Sequence, residues 1–112
     1  MEFIQDTLIS KEATDAHTIC AFMHKPLFLE DPLDDRSHGQ LKPAHRIELM
    51  ELLEESGVEL MLAGHLHHNR EATYKNMQLV ASGAVGYPIS GSCGYRLVSI
   101  SPENIAHEYY SL

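Results

Sequence analysis

Apolar residues are gathered into short runs along the chain, and the spacing within each run predicts its secondary structure. Thr18 to Met23 is an apolar, β-branched and aromatic run that stops shortly before Pro26, which is typical of a buried strand. Val58 to Ala63 is a second run of this kind, and it ends at Gly64. Both runs are too short for independent helices, so two strands are predicted.

The apolar period changes to that of a helix between these two strands. Pro43 fits its first turn, and the helix is predicted to continue to about Ser56, with Gly57 at its C-terminal cap. Its predicted buried stripe consists of Ile47, Met50 and Leu53. A shorter helix is predicted near the N-terminus, where Phe3, Ile4 and Leu8 share one helical face.

Beyond Gly64 the pattern changes again, to short strands joined by tight turns. Two antiparallel hairpins are predicted, one turning at Lys75-Asn76 and the other at Ser101-Pro-Glu-Asn104. Glu30 to Gln40 and Gly83 to Gly94 are predicted to be loops. A parallel strand–helix–strand unit followed by antiparallel hairpins indicates an α/β fold, and residues 1–112 provide room for one domain.

The predicted helix decides where the ends of the first two strands lie. A helical crossover makes such strands parallel, so their carboxyl ends meet at one edge of the sheet. His24 follows the first strand, and His65 and His67 follow the second. Topology alone therefore predicts three imidazoles at one edge, with Gly64 expected to leave room for a close turn.

Composition narrows the class of protein. Sixteen acidic residues against eight basic ones give a net charge of −8, and the basic residues form no stripe of the kind that binds nucleic-acid phosphates. The sequence has no apolar run near the ~20 residues that span a bilayer, and no signal-peptide pattern at its start. A cytoplasmic protein without nucleic-acid or membrane partners is expected. Cys20 is expected to be buried, and a single disulfide bond between Cys20 and Cys93 is left as an open alternative.

Two motifs at the predicted sheet edge carry a family resemblance. His24-Lys-Pro26 and Gly64-His65-Leu-His67 are similar to the histidine before proline and the Gly-His-x-His motif of calcineurin-like metallophosphoesterases. The sequence resembles this family, and within it a branch of small phosphoesterases with a calcineurin-like domain, over nearly its whole length. The resemblance implies that residues 1–112 are the C-terminal part of such a domain, half of a four-layer α/β/β/α sandwich.

The resemblance also implies a metal site and an activity. His24 and His65 would bind one metal ion and His67 its neighbour, so that two ions clamp a phosphate and activate a hydroxide for in-line attack. Imidazole and carboxylate ligands suit Mn, Fe or Zn better than Ca or Mg. The implied substrates are phosphorylated small molecules or phosphoproteins.

The remaining motifs of the family are not found in this sequence. In the family, Asp-x-His, Gly-Asp-x-x-Asp and Gly-Asn-His-Asp/Glu precede the first of these histidines, and only 23 residues precede His24 here. Asp15-Ala-His17 matches the first of those motifs but stands before a strand, so it is expected at the opposite end of the sheet. The chain is therefore expected to hold a partial site, with no complete catalytic set, and to be inactive by itself.

Two alternatives stay open at this point. The histidines could be structural residues at strand ends, and the chain could be a non-catalytic metal-binding or interaction module. Strand faces left exposed without an N-terminal half predict pairing with that half or self-association as a homodimer. His38, His45 and His107 are expected at the surface. His68 is expected beside the ligands or in solvent, and Arg70 facing either phosphate or solvent.

Overall fold

The computed structural model describes residues 1–35 and 38–112, in which the strands form two sheets. The helices are α1 (Glu2–Leu8), α2 (Lys11–Thr14) and α3 (Pro43–Glu55). The strands are β1 (Ile19–Met23), β2 (Val58–Ala63), β3 (Arg70–Tyr74), β4 (Met77–Ala81), β5 (Gly94–Ser101) and β6 (Asn104–Ser111). No helix within these described residues is long and apolar enough to cross a membrane. The predicted α/β class is confirmed.

The larger sheet has the strand order β1-β2-β4-β3, and three of its strands are parallel. β1 and β2 are parallel as predicted, and Met23 pairs with Ala63 at their carboxyl ends. β4 also runs parallel to β2, with Ala63 paired to Ala81, which the sequence pattern did not predict. β3 forms the predicted hairpin with β4 at the sheet edge, and β5 and β6 form the second hairpin as a separate sheet.

Helix α3 begins and ends where the sequence predicts. Pro43 stands in the first turn, and Gly57 follows the helix with a φ of 80°, a conformation that glycine adopts without strain. Met50 and Leu53 are buried as predicted, and Ile47 is half-buried. Arg46 is the unexpected member of this stripe, because its side chain is fully buried.

The core lies between α3, one face of the larger sheet and the chain that follows β1. Its buried members are Leu27, Phe28, Met50, Leu53, Val58, Met61, Met77 and Leu79. The predicted N-terminal helix is present as α1, and Ile4 and Leu8 pack against this core. Phe3 does not share their face, since it is 82% exposed.

The loop between β1 and α3 is closed by hydrogen bonds between its two ends. The N–H of Leu41 donates to the carbonyl of Pro26 at 2.9 Å, and the side-chain Oε1 of Gln40 accepts from the N–H of Leu29 at 2.9 Å. The predicted loop from Glu30 to Gln40 has no helix or strand in its described residues; Arg36 and Ser37 lie outside them.

Both cysteines are free thiols, so the single bridge left open by the sequence does not form. Burial, and then the carboxylate of Glu59, raise the pKa of the Cys20 thiol. A thiol that holds its proton is a poor nucleophile and a poor metal ligand. Cys20 therefore acts as a small apolar residue of β1.

Candidate functional site at the carboxyl edge of the sheet

His24 and His65 lie side by side where β1 and β2 end. Nε2 of His24 is 3.0 Å from Nδ1 of His65, and the rings meet edge to face with centroids 4.8 Å apart. The N–H of Gly64 donates to the carbonyl of His24 at 3.1 Å, which ties the two strand ends together. A hydrogen bond across this distance requires one ring nitrogen to carry a proton and the other to accept it.

His67 is held by the loop that follows β4. Its Nδ1 lies 2.7 Å from the carbonyl oxygen of Tyr87, and its own carbonyl accepts from the N–H of Ile89 at 3.0 Å. A carbonyl can only accept, so Nδ1 carries a proton, and in the neutral ring the lone pair is then on Nε2. Metal-binding histidines are commonly oriented by this kind of contact to a main-chain carbonyl.

The turn that carries His65 and His67 has an unusual backbone. His65 has a φ of 66° and His67 a φ of 56°, both in the left-handed region, which costs about 1–2 kcal/mol for a residue with a Cβ. Leu66 between them is only 7% exposed and anchors the turn. The expected role of Gly64 is wrong, because a Cβ at that position would meet its nearest neighbour, the carbonyl of His24, at an ordinary 4.0 Å.

The surroundings of His65 favour the neutral form of its ring. Partial desolvation, followed by the positive charges of Lys25 and of the neighbouring histidines His24, His67 and His38, lowers the pKa of His65. Neutral imidazole is the form that coordinates a metal. His38 is exposed as predicted, yet it is close enough to act on His65, which the sequence did not indicate.

The spacing of the nitrogens tests whether this edge suits a metal ion. Two ligands 3.0 Å apart, each ~2.1 Å from a metal, would subtend about 90° at it, which is a normal angle between neighbouring ligands. A metal bound by both nitrogens would displace the proton that their hydrogen bond requires. Within residues 1–35 and 38–112, however, no group of three or more His, Cys, Asp or Glu side chains is arranged to hold a metal ion. The edge provides a fitting pair of nitrogens and a separate third one, on His67.

The Asp15-Ala-His17 motif lies away from this edge, before β1. Asp15 is the C-terminal cap of the short helix α2 and forms an ion pair with Lys11. His17 is exposed. The two residues stand at the opposite end of β1 from His24, as the order of elements predicted.

The other singled-out residues take varied positions. His45 is exposed as predicted, whereas His107 is not a surface residue: only 13% of its side chain is exposed, and its Nδ1 is 2.7 Å from Nη1 of Arg96. Nδ1 of His68 is buried and has no hydrogen-bond partner among residues 1–35 and 38–112. Arg70 is half exposed, with Nη1 4.0 Å from the carboxylate of Glu30.

Comparison of the sequence with known proteins tests the family resemblance of its histidine motifs. No family model matches it. Over most of its length, however, the chain is homologous to calcineurin-like phosphoesterase domain-containing protein phosphatases, which confirms the resemblance of its histidine motifs. The chain spans about a third of the length of the curated relatives it matches.

These relatives are named "Serine/threonine-protein phosphatase CPPED1". The mouse (Mus musculus) protein is 37% identical over 109 residues, which cover 96% of this chain and 35% of that protein. The human (Homo sapiens) protein is 36% identical over 106 residues, which cover 93% of this chain and 33% of the human protein. The zebrafish (Danio rerio) protein is 29% identical over 111 residues, which cover 98% of this chain and 36% of the zebrafish protein.

Proposed function

We propose that this chain supplies histidine ligands to the site of a metal-dependent phosphatase that hydrolyses phosphate monoesters on serine and threonine side chains. The observation that carries the proposal is the pair formed by Nε2 of His24 and Nδ1 of His65, 3.0 Å apart at the ends of two parallel strands. The names of the relatives support the reaction and its phosphoprotein substrates.

The three histidines would bind two divalent transition-metal ions between them. His24 and His65 would bind one ion, and Nε2 of His67 would bind the other, with Mn, Fe and Zn suited to imidazole. When bound, such ions stabilise the charge on the phosphate and lower the pKa of water. The lowered pKa of His65 favours the neutral form of its ring, which is the form that binds a metal, and the carbonyl of Tyr87 orients His67.

The carboxylate and amide ligands of this site would come from residues outside this chain. Residues 1–112 would then be the C-terminal part of a four-layer α/β/β/α domain, and an N-terminal part would cover their exposed apolar faces. Support comes from Phe22 on β1, which is 77% exposed, and from the exposed, stacked rings of Tyr95 and Tyr110 on the second hairpin. In the absence of that part, the same faces would pair between two copies of the chain.

Calorimetric titration with Zn²⁺ tests the ligand assignment. The wild-type chain should bind zinc, and the double variant His24→Ala, His65→Ala should lose at least ~10-fold in affinity because the ligand pair is gone. The matched control removes two exposed histidines elsewhere, His17→Ala with His45→Ala, and should bind as the wild type does. Equal binding by the wild type and the His24, His65 variant would overturn the assignment.

A phosphatase assay tests the incomplete ligand set. The chain alone, supplied with Mn²⁺, should hydrolyse aryl phosphates negligibly, since three histidines cannot by themselves hold two ions at a fixed short separation. Metal-dependent turnover by the chain alone that disappears in His65→Ala would show that no further ligands are needed.

A further inference from the structure

Arg96, on β5, has a buried side chain close to the histidine turn. Only 6% of its side chain is exposed. Nε donates to the hydroxyl of Ser82 at 3.0 Å, and Nη2 donates to Oδ1 of Asn69 at 3.0 Å. Nη1 lies 2.7 Å from Nδ1 of His107 and 3.4 Å from the carboxylate of Glu71. This planar fork is therefore engaged on several sides at once.

Two of these partners, Asn69 and Ser82, link Arg96 to the segments that carry and hold His67. Asn69 comes two residues after His67, and its Oδ1 also accepts from the N–H of Gly83 at 2.9 Å. Ser82 follows β4, and its N–H donates to the carbonyl of Ala63, just before the turn, at 2.9 Å. One guanidinium thus joins the end of the histidine turn to the start of the loop that holds His67.

Tyr109, on β6, fixes the other end of the same loop. The guanidinium of Arg96 lies 5.7 Å from the centre of its ring, and its hydroxyl donates to the carbonyl of Ser92 at 3.1 Å. Gly83 leaves the space that this hydroxyl fills, since a Cβ there would lie 2.7 Å from it. The second hairpin therefore pins residues 83–92 at both ends.

We propose that Arg96 is a positioning residue for the histidine turn. Through Asn69 and Ser82 it fixes the loop whose Tyr87 carbonyl accepts a hydrogen bond from the N–H at His67 Nδ1, which leaves Nε2 as the unprotonated nitrogen of the neutral ring. The value of that orientation rests on the proposed metal-binding function. Lysine cannot replace Arg96, because a single ammonium lacks the planar fork that spans separate acceptors.

Nitrogen NMR of the histidine rings tests this role on the folded chain at about pH 8, above the ordinary histidine pKa of ~6.5. In the wild type, His67 should be a single tautomer with its proton on Nδ1. Arg96→Lys and Asn69→Ala should each give a mixture of both tautomers, because the Tyr87 carbonyl is no longer held in place. The matched control, Arg70→Ala, removes a half-exposed arginine from the same sheet edge and should leave the His67 signals unchanged.

The affinity for Zn²⁺ provides a second readout. It should fall about 10-fold or more in Arg96→Lys and Asn69→Ala, as for other losses of ligand orientation, and stay unchanged in Arg70→Ala. Variants that unfold more easily yet keep the wild-type tautomer of His67 would show a merely structural role and overturn the proposal. A mixture of tautomers in the wild type would also overturn it. A wild type that binds no zinc but shows the Arg96-dependent tautomer would refute the proposed function and support the positioning role.

Discussion

Two loops flank the histidine pair, and each is held by a buried arginine, yet they are built differently. In the β1 loop (residues 24–35 and 38–42), Leu27 is fully buried, and Arg46 of α3 donates to main-chain carbonyls at 2.5–3.1 Å. In the β4 loop (residues 82–93), Tyr87 is 85% exposed, and Arg96 binds side chains at the base of the loop. Burial holds the first loop, and a few polar contacts hold the second.

The two loops should therefore have different roles: the β1 loop contributes to the stability of the domain, and the β4 loop positions His67. A loop that contributes apolar residues to the core cannot loosen without weakening the whole domain, so the β1 loop should unfold only with it. The β4 loop contributes little to the core and can change while the domain stays folded. Mutations in the two loops should therefore differ in kind: changes in the first should lower stability, and changes in the second should alter His67.

The largest expected effect is that of Arg46→Ala. This variant should lose roughly 4 kcal/mol of unfolding free energy, because three carbonyl acceptors lose their donor and a fully buried side chain leaves a cavity. Urea denaturation followed by circular dichroism measures the loss. Arg70→Ala, at a half-exposed position, should stay within ~0.5 kcal/mol of the wild type. A loss below ~1 kcal/mol in Arg46→Ala would show that this arginine does not hold the β1 loop.

A pair of truncations compares the loops directly. Leu27→Ala should cost about 3 kcal/mol, since it removes a fully buried side chain from the core. Tyr87→Ala should change the unfolding free energy by no more than ~0.5 kcal/mol, because its ring is mostly in solvent and its carbonyl remains. Both are measured by the same urea titration. Similar losses in the two variants would remove the distinction between the loops.

Glycine positions in the second hairpin and at the end of α3 give a smaller contrast. Gly94→Ala should cost about 2 kcal/mol, because a Cβ there would overlap the carbonyl of Tyr110 across the β5–β6 pairing and crowd the ring of Tyr109. Gly57→Ala meets open space, so only its left-handed backbone opposes it, at about 1 kcal/mol. Thermal unfolding of both variants measures the order, and the reverse order would mean that the hairpin adjusts freely.

The smallest expected effect is a dependence of stability on pH that involves His65. The pKa of His65 is lower in the folded chain than the ~6.5 of an unfolded histidine, so below ~6.5 the unfolded state takes up more protons. The unfolding free energy should therefore fall as the pH drops from ~6.5 toward the folded pKa, and level off below it. His65→Asn should weaken this dependence and His45→Asn should not. Identical pH profiles for the wild type and His65→Asn would contradict the lowered pKa.

Most of the fold was accessible from the sequence because its signals are local. The strand runs, the proline and glycine at the ends of α3, and the turns of both hairpins depend on neighbouring residues. The parallel pairing of β4 with β2 has no such local signal. Arg46 stands at helical spacing from Met50 and Leu53, but a charge argues for exposure. Its burial is made possible by contacts that include main-chain carbonyls of the loop before α3.

The part of the site that could be predicted from the sequence is the part that the order of the strands defines. Strand ends placed His24 and His65 together, and the structure agrees, whereas His67 depends on main-chain atoms of the β4 loop. His107 and Arg96 could not be found from the sequence, since their burial follows from how the second hairpin packs. The role expected of Gly64 was wrong because a Cβ at that position would meet no neighbour closer than an ordinary 4.0 Å.

The left-handed conformations of His65 and His67 have a consequence for engineering. Glycine adopts such φ angles freely and asparagine tolerates them, so a library selected only for thermal stability should become enriched in these residues at both positions. Selection of that kind would remove the metal-binding candidates early, with a gain of about 1 kcal/mol at each position. A stabilised version of this domain that keeps its imidazoles therefore has to be designed with both positions excluded from variation.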